Sequence, residues 1–127
     1  MRVAFIGVSH WHAPFYIEPA LQLKGVTIVG VSDPDFKIAQ SYEERLICPW
    51  CADYRTLCDR VKLDFVFALG RHCDIREEAC HLIEAGIPFA MEIHVAWMAA
   101  RWRFWRSERP PEEPLPLCLL YCGKVGP

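Results

Sequence analysis

The sequence predicts an α/β fold, a doubly wound parallel sheet with helices on its faces, for residues 1–92. Short runs rich in β-branched and aromatic residues alternate with longer segments of helical periodicity, which is the order of βαβ units. The short runs are apolar throughout, as expected of strands that are buried on both faces. A chain of 127 residues can bury one core of this kind but not two.

Four strands are predicted, each bounded by turn residues: VAFIG at 3–7, VTIVGVS at 26–32, DFVFALG at 64–70 and IPFAME at 87–92. Helices are predicted between them at 12–25, from about Asp35 to Leu46, around Thr56 to Val61, and at 74–86 with Asp74 as the cap. Pro19 should kink or break the first helix, because proline lacks the N–H that a helix interior needs. Glu77 and Glu78 are predicted to lie on a solvated helix face.

The composition favours a small-molecule ligand. The formal net charge is −2, so electrostatics give no attraction to nucleic acid or to an anionic membrane. No run approaches the ~20 apolar residues needed to cross a bilayer, and MRVAFIGVSH lacks the features of a signal peptide, so a cytoplasmic location is expected. The seven cysteines are an odd number with irregular spacing, which favours reduced thiols over a disulfide framework.

The loop after the first predicted strand, GVSHWH, has the position of a dinucleotide-binding loop. In such loops three glycines allow a tight turn, close approach of the backbone to the pyrophosphate, and packing of the helix on the strand. Gly7, Ser9 and His12 hold these three positions, so only the first of them is a glycine. We predict that they contact the pyrophosphate together with His10 and Trp11, mainly through backbone groups.

An acidic residue follows the second predicted strand, where dinucleotide-binding domains hold the adenosine ribose. Asp33 has this position and is predicted to accept hydrogen bonds from the ribose hydroxyls. Asp35 adds a second carboxylate that would repel the 2′-phosphate of NADP, so NAD is the predicted cofactor and NADP the alternative. The DPD segment is also a common turn or helix-cap composition, which leaves a purely structural role for Asp33 open.

At residues 3–92 the chain resembles the cofactor-binding half of the Gfo/Idh/MocA oxidoreductases. The resemblance rests on the Gly7 loop, Asp33, ADYRTL at 52–57, DFVFALG at 64–70 and, above all, LIEAGIPFAME at 82–92. It implies a Rossmann-type domain that binds NAD or NADP. It also implies a family that oxidises or reduces sugars and polyols, in which a separate C-terminal sheet domain supplies most of the substrate site.

The resemblance further implies which residues lie near the nicotinamide, namely Leu69, Gly70, Arg71 and Glu92. The chain departs from the family directly after them, because Ile93 stands where the family has a lysine that can assist proton transfer. The loop histidine His72 does not have the position of the family histidine, which falls on Ile75. No catalytic residue is therefore predicted. We expect a domain that binds cofactor without turnover, since it lacks both the lysine and the substrate domain.

The sequence changes character at Ile93. Half of the ten prolines and three of the five tryptophans lie in 93–127, which is predicted to be an irregular, poorly structured tail. If one nucleotide is missing before the codon for His94, the restored codons can read Pro, Cys, Gly, Leu, Asp, Gly and then an amphipathic helix, as the family continues. We therefore predict that the tail is an out-of-frame reading in a truncated chain.

Two other functions stay open. The chain could be a non-catalytic binding or regulatory domain whose tail contacts a partner. It could instead be a small thiol or zinc protein, because CPWC at 48–51 has the spacing of a redox pair or of half a zinc site, with Cys58 as a third ligand. The resemblance implies that CPWC lies in the loop before the third strand, far from the nicotinamide. No second pair stands at a zinc-ribbon spacing, so no metal site is predicted.

Overall fold

The computed structural model describes residues 1–92 and 118–121, and they form a parallel sheet in the order β3-β2-β1-β4-β5-β6. Its strands are β1 (Arg2–Ile6), β2 (Thr27–Ser32), β3 (Trp50–Cys51), β4 (Phe65–Ala68), β5 (Phe89–Glu92) and β6 (Cys118–Tyr121). The chain adds β2 and β3 on one side of β1, then crosses to add β4 on the other side. This reversal confirms the predicted doubly wound sheet.

The helices between the strands are α1 (Ala13–Gln22), α2 (Phe36–Leu46), α3 (Tyr54–Arg60) and α4 (Ile75–Glu84). Asp35 caps α2 by accepting hydrogen bonds from the backbone N–H groups of its first turn, and Asp53 caps α3 in the same way. Asp74 holds the predicted cap position of α4 but makes no side-chain capping bond, and its Oδ2 accepts a hydrogen bond from Arg71 Nε at 2.8 Å. In the described part of the chain, no helix has the length and apolar content required to cross a bilayer.

The prediction that Pro19 breaks the first helix is wrong, since α1 continues through it. A proline here removes the hydrogen bond to the carbonyl oxygen of Phe15, four residues earlier. Both residues lie on the exposed face of α1, so that carbonyl can bond to water instead. The opposite face holds the helix on the sheet through its buried residues Ala13, Ile17 and Ala20.

Buried side chains form one hydrophobic cluster on each face of the sheet. Val3 and Phe5 of β1 join the cluster beneath α1 and α2. Ala4 and Ile6 join the cluster beneath α3 and α4. Successive residues of a strand point to opposite faces, so a strand that packs helices on both sides must be apolar at every position. This geometry accounts for the continuous apolar run that predicted β1.

The second half of CPWC is β3, a short strand that pairs with β2, so the interpretation of this segment as a loop is wrong. The backbone N–H of Val31 donates to the carbonyl of Pro49, and that of Asp33 donates to the carbonyl of Cys51. Two residues are too few to show a period-2 pattern, which is why the sequence does not reveal this strand.

The predicted tail contributes one strand to the sheet. Residues Cys118–Tyr121 form β6, which pairs in parallel with β5 from Phe89↔Cys118 to Glu92↔Tyr121. The sequence pattern predicts no strand in 93–127. The remaining tail positions, 93–117 and 122–127, lie outside the described residues, so the out-of-frame interpretation stays a prediction.

Candidate functional site

A pocket of about 710 Å³ opens at the carboxyl ends of β1, β2 and β4, where the strand order reverses. Ligands of open α/β sheets bind in this position, because the loops after the strands diverge there. Eight of the ten predicted cofactor residues line the pocket: Gly7, Ser9, His10, Trp11, Asp33, Leu69, Gly70 and Arg71. The other two, His12 and Glu92, are not among its lining residues and contact each other instead.

Gly7 brings the first loop against the loop after β4. Its φ is +75°, a conformation that side chains with a Cβ rarely adopt, and an added Cβ would lie 2.6 Å from the backbone nitrogen of Gly70. The Gly7 N–H donates to the carbonyl of Ser32 at 2.8 Å, which ties the loop to the end of β2. Only glycine fits here, so the turn that the sequence analysis assigns to Gly7 is present.

Asp33 is 2% exposed, and its carboxylate holds two loops together. Oδ2 accepts a hydrogen bond from the Ser9 N–H at 2.7 Å, and Oδ1 accepts one from the Asp35 N–H at 2.9 Å. Each carboxylate oxygen can accept a second hydrogen bond, so the group retains acceptor capacity toward the pocket that it lines. The structural role that the sequence left open for Asp33 is therefore real, and it does not exclude contact with a ligand.

The amino end of α1 is next to the first loop, with His12 in the cap position and no side-chain capping bond. The N–H of His10 donates to the carbonyl of Gly7 at 3.0 Å, and the N–H of Ala13 donates to the carbonyl of His10 at 2.9 Å. These bonds wind the loop into the helix. Trp11 is 71% exposed at this end, where it lines the pocket.

Glu92, at the carboxyl end of β5, meets two histidines of the first loop. Its Oε1 pairs with Nδ1 of His12, and its Oε2 lies 3.4 Å from Nδ1 of His10. The Glu92 side chain is 14% exposed. All three residues are predicted from the sequence as cofactor contacts but not as a group, because Glu92 is 80 positions from His12 along the chain.

Glu78 is 4% exposed, so the prediction that it lies on a solvated helix face is wrong. It shares the buried face of α4 with Ile75, Ala79 and Leu82, and the same 3.6-residue spacing that identified this face could have placed Glu78 on it. Its carboxylate fills the space beside Gly70, where a Cβ would overlap it.

The environment of Glu78 favours its neutral form. Burial, and to a smaller extent the negative charge of Asp74, raise the pKa of the Glu78 carboxyl from 4.5 to about 7, while Arg71 and Arg55 act in the opposite direction. Its Oε2 accepts no hydrogen bond from the described residues. A neutral acid at the pocket wall could donate a hydrogen bond, which a carboxylate cannot do.

The cysteines of CPWC do not form a joint site. Cys48 belongs to the cluster beneath α1 and α2, whereas Cys51 belongs to the cluster on the other face of the sheet. Burial raises the pKa of the Cys48 thiol to about 11, and the same cause raises the pKa of Cys58 to about 11. Such thiols carry little thiolate at neutral pH, which is the form that binds zinc and exchanges disulfides.

No protein-family model matches the chain, and no curated protein matches it significantly. Solved structures do match. A myo-inositol 2-dehydrogenase from Lactobacillus plantarum is 18% identical with a TM-score of 0.66, over 72% of this chain and 27% of that one. An oxidoreductase from Agrobacterium radiobacter, in complex with NAD+, L-tartaric acid and magnesium, is 17% identical with a TM-score of 0.72, over 84% of this chain and 32% of that one.

GenD2 from gentamicin A biosynthesis, in complex with NAD, is 17% identical with a TM-score of 0.67, over 72% of this chain and 26% of that one. At these identities the likeness establishes the fold, a Rossmann-like α/β domain. The chain spans between 26% and 32% of the length of these three proteins.

Proposed function

We propose that this chain is the cofactor-binding domain of an NAD(P)-dependent oxidoreductase of the Gfo/Idh/MocA type. The observation that carries the proposal is the pocket at the reversal of the sheet, which collects eight of the ten residues predicted from the sequence to contact the cofactor. The matching solved structures include a dehydrogenase and an oxidoreductase, and two of them hold NAD or NAD+, which supports the same cofactor class.

The proposed pyrophosphate position is the turn between β1 and α1. Gly7 allows the backbone to turn sharply next to the amino end of α1. The first N–H groups of this helix are bonded within the loop, from Ala13 to His10 and from Phe15 to His12, so its attraction for an anion would come from the helix dipole. Ser9 and His10 line the adjoining pocket wall, where their backbone would approach the phosphates.

The proposed ribose position is beside Asp33, whose two oxygens are oriented by the N–H groups of Ser9 and Asp35. A carboxylate fixed in this way can accept hydrogen bonds from vicinal hydroxyls without first losing rotational freedom. Asp35 also lines the pocket, so a 2′-phosphate would meet two negative charges there. NAD is therefore the proposed cofactor.

The nicotinamide is proposed to lie toward Leu69, Gly70 and Arg71, which follow β4 at the same edge of the sheet. Ile93 has no group that can transfer a proton, so we propose that the chain binds the cofactor without turning over a sugar or polyol. The separation of Cys48 from Cys51 disfavours the alternative of a thiol or zinc protein using CPWC.

Calorimetric titration of the full chain with NAD and with NADP tests this proposal. We expect saturable binding of one nucleotide per chain, tighter for NAD. The variant Asp35→Asn keeps a capping side chain but removes the charge. A carboxylate and a doubly charged phosphate about 6 Å apart in water repel by about 1.4 kcal/mol, so the preference for NAD should fall about tenfold.

Asp59→Asn is the matched control, because it makes the same charge change at an exposed residue that does not line the pocket. It should leave both affinities unchanged. Absence of saturable binding of either nucleotide would remove the cofactor proposal. A preference for NAD that is the same in Asp35→Asn and wild type would remove the role of Asp35.

A further inference from the structure

We propose that His10, His12 and Glu92 form a binding site for one divalent transition metal ion of the zinc class, a site beyond the proposed cofactor function. One ligand atom from each residue lies within 4.8 Å of the other two. Two imidazoles and one carboxylate are a ligand set that recurs in zinc sites with an open position. Among the described residues, these three are the group of His, Cys, Asp or Glu side chains whose ligand atoms lie this close together.

The spacing of the ligand atoms suits a single ion. Ligands about 2.1 Å from a tetrahedral zinc ion are about 3.4 Å from one another. The separation between His10 Nδ1 and Glu92 Oε2 is 3.4 Å. His12 Nδ1 and Glu92 Oε1 are in direct contact, so these two atoms would have to move apart to admit the ion between them.

The two histidine rings are held where they can act as ligands. The N–H of His12 donates to Nδ1 of His10 at 3.2 Å, so this nitrogen carries no proton, and coordination of the ion would replace this hydrogen bond. His12 is fixed by its position at the amino end of α1, and His10 by the hydrogen bond from its N–H to Gly7. A short loop thus brings both rings to one side of Glu92.

Glu92 supplies the charge that such a site needs. Its side chain is 14% exposed, and its Oε2 accepts no hydrogen bond from the described residues. A largely buried carboxylate without a full set of partners is costly, and a bound cation offsets that cost. The carboxylate also counters the repulsion between a cation and the positive amino end of α1.

A metal ion held by three protein ligands keeps a coordination position for water or for an exogenous oxygen ligand. His10 belongs both to this cluster and to the lining of the pocket, so the ion would lie at the rim of the pocket. Imidazole nitrogens favour zinc and its neighbours in the first transition row over the hard cations magnesium and calcium. The inferred ligand class is therefore Zn²⁺ or Co²⁺.

The test is a metal titration of the full chain after chelator treatment, with no nucleotide present, so its result is independent of the cofactor proposal. Co²⁺ is followed by its visible absorption and is then displaced by Zn²⁺. We expect one ion per chain and no comparable effect of Mg²⁺. Glu92→Gln, His12→Gln and His10→Gln should each weaken binding by roughly tenfold or more, since even loss of a supporting group around a metal costs that much.

His72→Gln is the matched control, because His72 is an exposed histidine outside the cluster. It should bind Co²⁺ as the wild type does. Far-UV circular dichroism verifies that each variant is folded, and the three ligand variants are read separately so that one unfolded variant does not remove the comparison. Equal affinity in wild type and the folded ligand variants would overturn the proposal, as would strong sulfur-to-cobalt charge-transfer absorption, which indicates cysteine ligands. Failure of the folded wild type to bind Co²⁺ would overturn it as well.

Discussion

Replacing Glu78 by glutamine should stabilise the chain at high pH but not at low pH. Glu78 is 4% exposed, and burial raises its pKa from 4.5 to about 7. The folded chain therefore holds this proton between pH 4.5 and pH 7, where the unfolded chain releases it. The contribution of Glu78 to stability is present in full below pH 4.5 and is lost as the pH rises through 7.

The size of the effect follows from the two pKa values. They differ by about 2.5, and each pKa unit corresponds to about 1.36 kcal/mol, so the wild type should lose about 3 kcal/mol of stability across this window. Glutamine resembles the neutral acid in shape and does not ionise. The difference in free energy of unfolding between Glu78→Gln and wild type should therefore shift by about 3 kcal/mol in favour of the variant from pH 4.5 to pH 8.

Urea unfolding followed by far-UV circular dichroism at several pH values measures this difference, and other titrating groups cancel in the comparison of variant with wild type. Glu84→Gln is the matched control, because it makes the same substitution at an exposed position of the same helix. Its difference from wild type should stay within about 0.5 kcal/mol at every pH. Parallel pH profiles for Glu78→Gln and wild type would refute the assignment of a raised pKa to this buried carboxyl.

Three further outcomes are expected. Gly7→Ala should lower the free energy of unfolding by about 3 kcal/mol in urea titrations, because the backbone would be strained and the new Cβ would overlap a backbone nitrogen 2.6 Å away. Gly25 has a φ of +81° but open space around it, so Gly25→Ala should lower the free energy of unfolding by only about 1 kcal/mol. Equal losses in the two variants would contradict the close approach at Gly7. After brief alkylation at pH 8, peptide mapping should find the exposed Cys73 modified, whereas Cys48 should react about 100-fold more slowly because its pKa is about 11. Comparable labelling of the two cysteines would contradict the burial of Cys48. Sequencing of the locus should show a family-like continuation in the alternative frame after the codon for Ile93, and a frame without it would sink that interpretation.

The first loop shows how much of the site can be predicted from the sequence. Gly7, Ser9 and Asp33 were predicted from their places after two strands, and the structure brings them to one pocket. Strand ends converge at one edge of a parallel sheet, so positions after strands are informative before any contact is known. The hydrogen bond between Ser9 and Asp33 was not predicted, because it depends on the lateral distance between β1 and β2.

Glu78 shows a different reason for error. Charged residues are almost always exposed, so Glu78 was predicted to be at the surface although its helical spacing places it on the buried face of α4. The buried setting exists because Gly70 leaves space for the carboxylate, and that space belongs to a loop on another element. Pro19 is the converse case, since burial of one face of α1 overcame a residue that disfavours helix interiors.

The sequence by itself determined the four helices and four of the six strands in their order, the apolar runs of those strands and the loop positions that meet at the carboxyl edge of the sheet. These features follow from local periodicity and from turn residues, both of which can be identified within a single short stretch of the chain. Only the tertiary structure decided that Glu78 is buried, that Cys48 and Cys51 face opposite ways, and that His10 and His12 meet Glu92. Each of these depends on which elements lie side by side, and contacts between distant segments arise from packing across the sheet that no local pattern encodes.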